Sequence, residues 1–410
     1  MSIVTLQRRT TKARRRKLGH GGTENVLVDR ILLGGQALMG ASEFAAAIGD
    51  PMWPSRPVLA GPHARLLRAN AVRELDERDI LGSDYGQLAR RCLALTGRFG
   101  AATDEAGVVA LAQDYLRCNS AYAAGPIFPR PRGQERGESI RVAPIRGSDC
   151  FQLIDGHHRV AAYAVSGAAT VPARVSRLSV STPLQDALHR MSGSGGADEL
   201  YQPIESPEVA TWPAVRGCTD RLEKMDLFLG SHGIAPGFTS HLDVASCYGW
   251  FVAGMSSFGY RSEGVDPDPL APEVGQHAYG LARAEVHTSE VVPFLREASL
   301  RAAGSGRRWD VVSCFSLLHH FALGRGKVSA QRLVELLDEV TGSVLFLDTG
   351  QAHERWFRNS LAVWDSDYVR EFLLEYTTFD EVVDLGPDHD DRPPYSGNHG
   401  RHLFACVRKR

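Results

Sequence analysis

What this chain lacks narrows its class before any motif is read. No apolar run reaches the roughly 18 to 20 residues that a membrane-spanning helix needs, so no span is expected and the chain reads as cytoplasmic. Neither sign of charge dominates: the formal net charge is -2 over 410 residues, which argues against a chain that lies on nucleic acid as a whole. The one basic cluster, Arg8, Arg9, Lys12, Arg14, Arg15, Arg16 and Lys17, has no apolar segment behind it to make a signal peptide. It reads as a solvated tail over residues 1–25, with anchoring on an acidic surface or nucleic acid as the alternative. Paired cysteines are absent as well. The seven cysteines (Cys92, Cys118, Cys150, Cys218, Cys247, Cys314 and Cys406) stand singly, so no zinc ribbon, dithiol site or other metal centre is expected. An odd, dispersed set suits a reducing compartment. There is no internal repeat and no long low-complexity segment.

What is present is an ordinary globular composition, 43% hydrophobic and 23% charged, on a chain too long for one core. Residues 26–178 mix apolar helical patterns, such as 105–115, with Gly/Pro-rich connections such as 125–137. Residues 179–216, with four prolines and Ser192-Gly193-Ser194-Gly195-Gly196, read as a linker, parts of which could pack as short helices. From 217 to 410 helix and strand signals alternate. An amphipathic, capped helix over 219–229 is followed by apolar runs at 241–245, 261–265, 309–314, 343–348 and 381–385, mostly separated by helical segments. Such alternation predicts an α/β unit with a parallel sheet covered on both faces. The last run, 401–407, follows a loop without a helix and should pair antiparallel to its predecessor. Five or six parallel strands closed by a β-hairpin are expected.

The most informative stretch is Leu242-Asp243-Val244-Ala245-Ser246-Cys247-Tyr248-Gly249-Trp250, followed by Gly259 and Gly264-Val265-Asp266. A strand ending in an acid, a turn of small residues, a helix, and a second strand ending in Asp suit an adenosyl ligand. Small residues let the backbone approach, the helix start offers free N–H groups, and the second acid can accept from both ribose hydroxyls. Asp266 lies 23 residues after Asp243, near the spacing of that fingerprint. This stretch resembles the class I SAM-dependent methyltransferases, and the resemblance covers nearly all of 219–410. It implies a Rossmann-like sheet, S-adenosyl-L-methionine as cofactor, Asp243 at the methionine end, Gly249 under the ligand and Asp266 on the ribose. Ala245 and Cys247 replace the family's usual first two glycines, which predicts a slightly altered turn. A NAD site would need those glycines to pass a pyrophosphate.

Further on, 309–321 resembles the family's fourth strand and the loop beyond it. The resemblance places Ser313 and Cys314 beside the cofactor, and His319 and His320 at the mouth of the acceptor pocket. His319 reads as a packing or capping residue and His320 as the group that takes the acceptor's proton. The polar cluster after the next strand, 348–357, offers Glu354 as a partner across the pocket. Asp391-Arg392-Pro393-Pro394-Tyr395 echoes the Pro-Pro-Tyr of DNA amino-methylating enzymes, but it falls in the final hairpin and reads as a loop.

A second signal lies in the first half: Phe151-Gln152-Leu153-Ile154-Asp155-Gly156-His157-His158-Arg159-Val160. An apolar strand ends in Asp-Gly, and a helix begins with two histidines and an arginine. Helix-start N–H groups with an arginine fork make an anion cradle, most naturally for phosphate. The stretch resembles the ParB/sulfiredoxin-like superfamily over about 100–177, which implies an α+β domain. By that resemblance Asp155, Gly156, His157, His158 and Arg159 bind a nucleotide such as ATP, ADP or CTP with Mg2+. The cysteine that sulfiredoxins need is missing from 155–159. A motif that only caps a helix is the alternative. Pro62-His63-Ala64-Arg65 could serve the same pocket or simply start a surface helix.

The expected function is therefore a two-domain biosynthetic tailoring enzyme. A SAM-dependent methyltransferase acts on oxygen or nitrogen of a small molecule or a sugar or glycan, beside an N-terminal domain that binds nucleotide and could be kinase-like. Two other readings stand beside it. One is a ParB-like module fused to a nucleic-acid methyltransferase, against which the near-neutral charge and the missing helix-turn-helix count. The other is a non-catalytic SAM sensor.

Overall fold

The computed structural model describes residues 20–122, 139–191, 197–305, 309–390 and 400–409. The basic cluster at 8–17, the serine/glycine run at 192–196 and the Pro-Pro-Tyr segment lie outside these residues. The chain divides into two compact units. Unit 1 is residues 1–186 with 205–211, and unit 2 is 187–204 with 212–410.

Unit 1 is a mixed α+β layer. Its strands are β1 (His20–Leu27), β2 (Ile31–Leu32), β3 (Ile140–Pro144), β4 (Phe151–Asp155) and β5 (Thr170–Ser176), in sheet order β1-β5-β3-β4-β2. β1 already begins at His20, inside the stretch expected to be tail. β1 runs antiparallel to β5 and β3 antiparallel to β4, while β5/β3 and β4/β2 are parallel. The helices are α1 (Ala41–Ile48), α2 (Pro62–Val72), α3 (Glu77–Gly82), α4 (Asp84–Thr96), α5 (Glu105–Tyr122), α6 (His157–Val165) and the first turn of α7 (Pro183–Arg190), whose residues from Ala187 on belong to unit 2. The 105–115 pattern is thus the first part of α5. Leu66 and Leu67 of α2, Tyr85 and Leu88 of α4 and Val160 of α6 pack on Val142 and Leu153 of the sheet.

The supposed linker is not free chain. Within it lie α7 and a clamp at 205–211 that returns to unit 1. The clamp is held by Glu208, fully buried, whose carboxylate accepts from Ser55 Oγ, from Ser206 Oγ at 2.6 Å and from Thr182 Oγ1 at 3.4 Å. A buried carboxylate is tolerated only with donors of this kind.

Unit 2 begins its sheet after α8 (Thr219–Ser231). It continues β6 (Ser240–Val244), α9 (Trp250–Ser257), β7 (Arg261–Asp266), α10 (Ala271–Tyr279), β8 (Val286–Thr288), α11 (Val291–Ser305), β9 (Trp309–Cys314), α12 (Leu318–Ala322), α13 (Ala330–Val340), β10 (Thr341–Leu347), α14 (Ser366–Tyr376), β11 (Glu381–Pro387) and β12 (His402–Val407). The seven-stranded order is β11-β12-β10-β9-β6-β7-β8, parallel except that β12 runs antiparallel to both neighbours. This is the doubly wound, Rossmann-like sheet with a terminal hairpin that the alternation predicted. β8, three residues at the edge, had no sequence signal of its own.

The strands read as continuous apolar runs because both faces are buried. Val311, Val344, Phe346, Leu403 and Ala405 point to one face with Met225 and Phe251. Val312, Cys314, Leu345, Leu347, Phe404 and Cys406 point to the other with Leu333 and Leu337 of α13. The period of two along each strand sorts them. The capped helix of the sequence reading is α8, but its cap is unusual: Cys218 precedes it at φ 69° without a side-chain bond, and Asp390 accepts from Asp220 N at 3.1 Å instead. Strand order reverses at β6, with β7 on one side and β9 on the other, so a crevice opens beyond their carboxyl ends.

Candidate active site

Beyond β6 the backbone turns through Ala245, Cys247 and Gly249 at φ 61°, 53° and 86°. A left-handed conformation costs a non-glycine residue about 1–2 kcal/mol, so the turn must be held from outside. Ser246 N donates to Val265 O at 3.0 Å, Cys247 N to Asp266 Oδ2 at 2.9 Å, and Gly249 N to Ser246 O at 2.9 Å. Gly264 lets the turn lie flat on β7: a Cβ there would stand 2.7 Å from Ser246 and 2.8 Å from Val252. Ala245 and Cys247 thus adopt the left-handed backbone that glycine takes without cost, which leaves the turn strained.

Three acids stand at strand ends around the crevice. Asp266 of β7 also accepts from Asp268 N at 2.9 Å; burial pushes its carboxyl up to about 6, against the pull of those two backbone donors. Asp243 of β6 is buried, and its carboxyl is pushed up to about 7 by that burial, with the Ser313 hydroxyl working the other way from 2.6 Å on Oδ1. Asp243 Oδ2 is buried with no hydrogen-bond partner among the described residues. Asp348, just past β10, accepts from Ser316 N at 2.5 Å and Arg221 Nη1 at 2.7 Å. Burial would raise its carboxyl, but Arg221, Arg401 and Arg216 hold it below the usual range.

Asp243, Ala245, Phe251, Phe315 and Ser316 line one pocket with Gln202, Arg216 and Arg221. Arg221 lies on the apolar stripe of α8, 2% exposed, its guanidinium carbon 5.6 Å from the Phe251 ring centre and 5.5 Å from that of Phe315. An always-charged group buried on a helix's apolar face, beside Met225 and Leu222, is the sequence signal that could have found it. Gln202 and Arg216 had been assigned to the linker. Gln202 Oε1 accepts from Trp250 N at 3.3 Å, and its backbone exchanges hydrogen bonds with the Tyr248 hydroxyl, whose contact to Gln202 N is 2.7 Å. This stretch therefore covers the start of α9.

The remaining expected residues fall into two groups. Ser313 lines the back of the site, behind Asp243, and Cys314 is in the apolar core. Burial pushes the Cys314 and Cys247 thiols up, so both stay protonated. His319 is buried; its Nδ1 accepts from Gly350 N at 3.1 Å, its ring packs 4.8 Å from Phe357, and burial drives it down to about 3. It is a neutral capping residue for the loop after β10. His320, next in α12, reaches solvent; partial burial, Arg325 and Arg401 lower its pKa below the ordinary 6.5. Glu354 does not stand free in the pocket. Its carboxylate is fully buried and paired to Arg401, and Oε1 also accepts from Gln351 N at 2.9 Å. Arg401 Nη1 donates onward to Ser316 Oγ at 2.8 Å.

In unit 1, β4 ends in Asp155 and turns at Gly156, φ 98°, into α6. Asp155 Oδ1 accepts from Gly156 N at 2.9 Å, and a Cβ at Gly156 would press on Ile140 and Arg159 at 3.2 Å. His158 Nε2 bonds the Tyr85 hydroxyl at 2.8 Å. His63, at the start of α2, is buried with its ring 4.5 Å from that of His158 and 5.8 Å from that of His157. Burial drives His157 to about 4 and His158 to about 3, and holds His63 well below 6.5. The structure does bring the His63 segment to the motif, but as a neutral aromatic cluster; Arg159 is the fixed charge there. Among the described residues no group of His, Cys, Asp or Glu is arranged to hold a metal ion, and no helix is long and apolar enough to cross a membrane.

Fold and site together define unit 2 as a Rossmann-like α/β unit whose crevice pairs acidic strand ends with buried guanidinium groups. No family model matches the chain, and no curated protein does. Among solved structures, the bifunctional kinase-methyltransferase WbdD is similar at 19% identity with a TM-score of 0.40, over 55% of this chain and 46% of its own. The chain thus spans just under half the length of that structure. The magnesium protoporphyrin IX methyltransferase ChlM from Synechocystis PCC 6803, solved with bound SAM, is similar at 15% identity and a TM-score of 0.32, over 46% of this chain and 78% of its own.

Proposed function

We propose that unit 2 is a SAM-dependent methyltransferase acting on oxygen or nitrogen of a small molecule, sugar or glycan. The observation that carries this reading is the unsatisfied, buried Asp243 Oδ2 in the same pocket as Arg221 and Arg216. A buried polar atom without a partner is costly, and the ammonium of an amino-acid zwitterion is a partner for Asp243 Oδ2, with its carboxylate turned toward the two guanidinium groups. Asp266, one strand over, accepts from the ribose diol in this reading. SAM bound here supplies a methyl group on a sulfonium. The chain's own tasks are to fix the donor's polar ends, to exclude water with Phe251 and Phe315, and to hold the acceptor in line about 3 Å from the methyl. His320, exposed beyond β9 and neutral at pH 7, takes the acceptor's proton. Glu354 acts through Arg401, shaping the loops after β9 and β10.

The test is calorimetry of the full chain with SAM and S-adenosylhomocysteine, followed by mass-spectrometric detection of a methylated product. Absence of binding at millimolar ligand would overturn the reading. A salt-dependent shift on DNA or RNA would instead favour a nucleic-acid acceptor. For unit 1, the left-handed Gly156 and the open start of α6 beside Arg159 support a phosphate or nucleotide site. ATP, ADP or CTP should then raise the melting temperature, and Arg159→Ala should abolish the rise.

A further inference from the structure

Behind Asp243 lies a row of polar groups that the donor contacts do not use. His241, two residues earlier on β6, is fully buried in the sheet. Its Nδ1 lies 2.7 Å from Ser262 Oγ on β7, and its Nε2 lies 2.9 Å from Ser313 Oγ on β9. Ser313 Oγ in turn donates to Asp243 Oδ1 at 2.6 Å. The directions follow from valence. Ser313 has one proton, and a carboxylate can only accept, so that proton goes to Asp243. The Ser313 oxygen must then accept, which places the imidazole proton on Nε2. Nδ1 is left as an acceptor and takes the proton of Ser262. Every donor in the row Ser262–His241–Ser313 therefore points toward Asp243.

Such a row polarises along its length and stabilises negative charge at its end. The charged and titratable groups that face Asp243 are Arg221 from α8, Asp266 from β7, Asp348 from β10 and the Cys314 thiol from β9. Arg221 favours ionisation; the two acids oppose it. Arg221 is already committed to Asp348 at 2.7 Å, so Asp243 depends on the row for its nearest donor. Around His241 the close groups are the two neutral hydroxyls, and burial keeps its ring neutral, with a pKa driven down to about 3.

We propose that His241 is a positioning residue of the donor site: through Ser313 it holds the Asp243 carboxylate ionised and aimed, so that Oδ2 receives the cationic end of the methyl donor. This rests on the methyl-donor reading, which enters only through the ligand. Two predictions follow, one with ligand and one without. The donor should bind Asp243 in its ionised form, so affinity should rise with pH as that carboxyl deprotonates. Removing the row should move the rise to higher pH.

The experiment uses the full chain. SAM affinity is measured by calorimetry from pH 6 to 9 for wild type, His241→Leu, which keeps bulk but has no donor, and His241→Gln, whose amide can still donate to Ser313. His241→Leu should bind SAM about three- to sixfold more weakly at pH 7, as a rise of roughly one pKa unit or less from about 7 requires, and within about twofold at pH 9. His241→Gln should restore most of the wild-type profile. Without ligand, Asp243 takes up a proton on folding because its folded value is raised from 3.8 to about 7. Its stabilising contribution is thus complete below about pH 4 and is lost as pH rises through 7. In His241→Leu the melting temperature should keep falling to a higher pH than in wild type. Should His241→Leu not fold, Ser262→Ala should show smaller shifts of the same sign. Superimposable pH profiles for variant and wild type would overturn the proposal. If wild type binds no SAM, the donor reading fails, and the ligand-free melting profiles still decide whether the row controls Asp243.

Discussion

Arg401 and Glu354 meet face to face, with Nε 2.8 Å from Oε1 and Nη2 2.9 Å from Oε2, and both side chains are sealed from water. The pair joins the chain just before β12 to the loop after β10, and through Ser316 it reaches the loop after β9. Such two-point geometry fixes orientation as well as distance.

Breaking this pair from one side should be severe. Glu354→Gln leaves a buried guanidinium uncompensated and should lower stability by about 3–5 kcal/mol. Chemical denaturation would measure it. Loss of turnover without loss of stability would instead return Glu354 to a direct role with the acceptor.

Asp266 has two duties, one to the turn and one to the donor. Asp266→Ala should weaken SAM binding by about 1.5–3 kcal/mol through the lost charge-assisted bond. It should also loosen the turn, because Cys247 N and Asp268 N lose their acceptor. Calorimetry and amide hydrogen exchange read the two separately; an unchanged dissociation constant would remove the ribose assignment.

Cys247 at φ 53° pays a backbone cost that glycine would not. Cys247→Gly should raise stability by about 0.5–1 kcal/mol in a ligand-free melt, and a loss of stability would show that the thiol's packing outweighs the strain.

For His320 the lowered pKa sets a pH dependence. A base works in its neutral form, so turnover should rise along an acid limb centred below pH 6.5 and stay flat above it. His320→Ala should cut turnover about 10²- to 10⁴-fold with SAM affinity within about threefold. Arg325→Ala should move the acid limb toward 6.5, since one of the charges lowering the imidazole is gone. A His320→Ala enzyme with near-wild-type turnover from pH 6 to 9 would leave transfer to positioning alone.

The neutral imidazoles of unit 1 predict acid sensitivity. Folded values near 4 and 3 for His157 and His158, against about 6.5 unfolded, mean a contribution present above pH 6.5 and lost as pH falls through 4 and 3. The melting temperature should therefore drop below about pH 6, and His63→Phe, which removes one buried proton acceptor, should make that drop shallower.

The parts legible in the sequence were those that repeat along the chain. Strands β6, β7, β9, β10, β11 and β12 were found within about two residues, because two buried faces write an unbroken apolar run. The acid at the end of β6 and the acid at the end of β7 were found because the turn between them has few chemical solutions. Arg221 and Arg216 were not found as pocket residues: their meaning depends on α8 and the stretch after 200 folding over the strand ends, which local pattern does not encode. The pairing of Glu354 with Arg401 was missed for the same reason, since the two lie 47 residues apart. The linker reading rested on composition: Pro203, Pro207 and Pro213 lie in a stretch that packs, with Glu208 as its anchor.

The Glu208 clamp also sets an order of events during synthesis. Unit 1 is not complete at residue 186; residues 187–204, which belong to unit 2, must leave the ribosome before 205–211 can dock. A nascent chain stalled anywhere in that interval carries Ser55 and Thr182 without the carboxylate they bond. A gene fragment meant to yield the first unit alone should therefore run through Thr211, and a domain boundary drawn at residue 178 or 186 would cut away the piece that closes it.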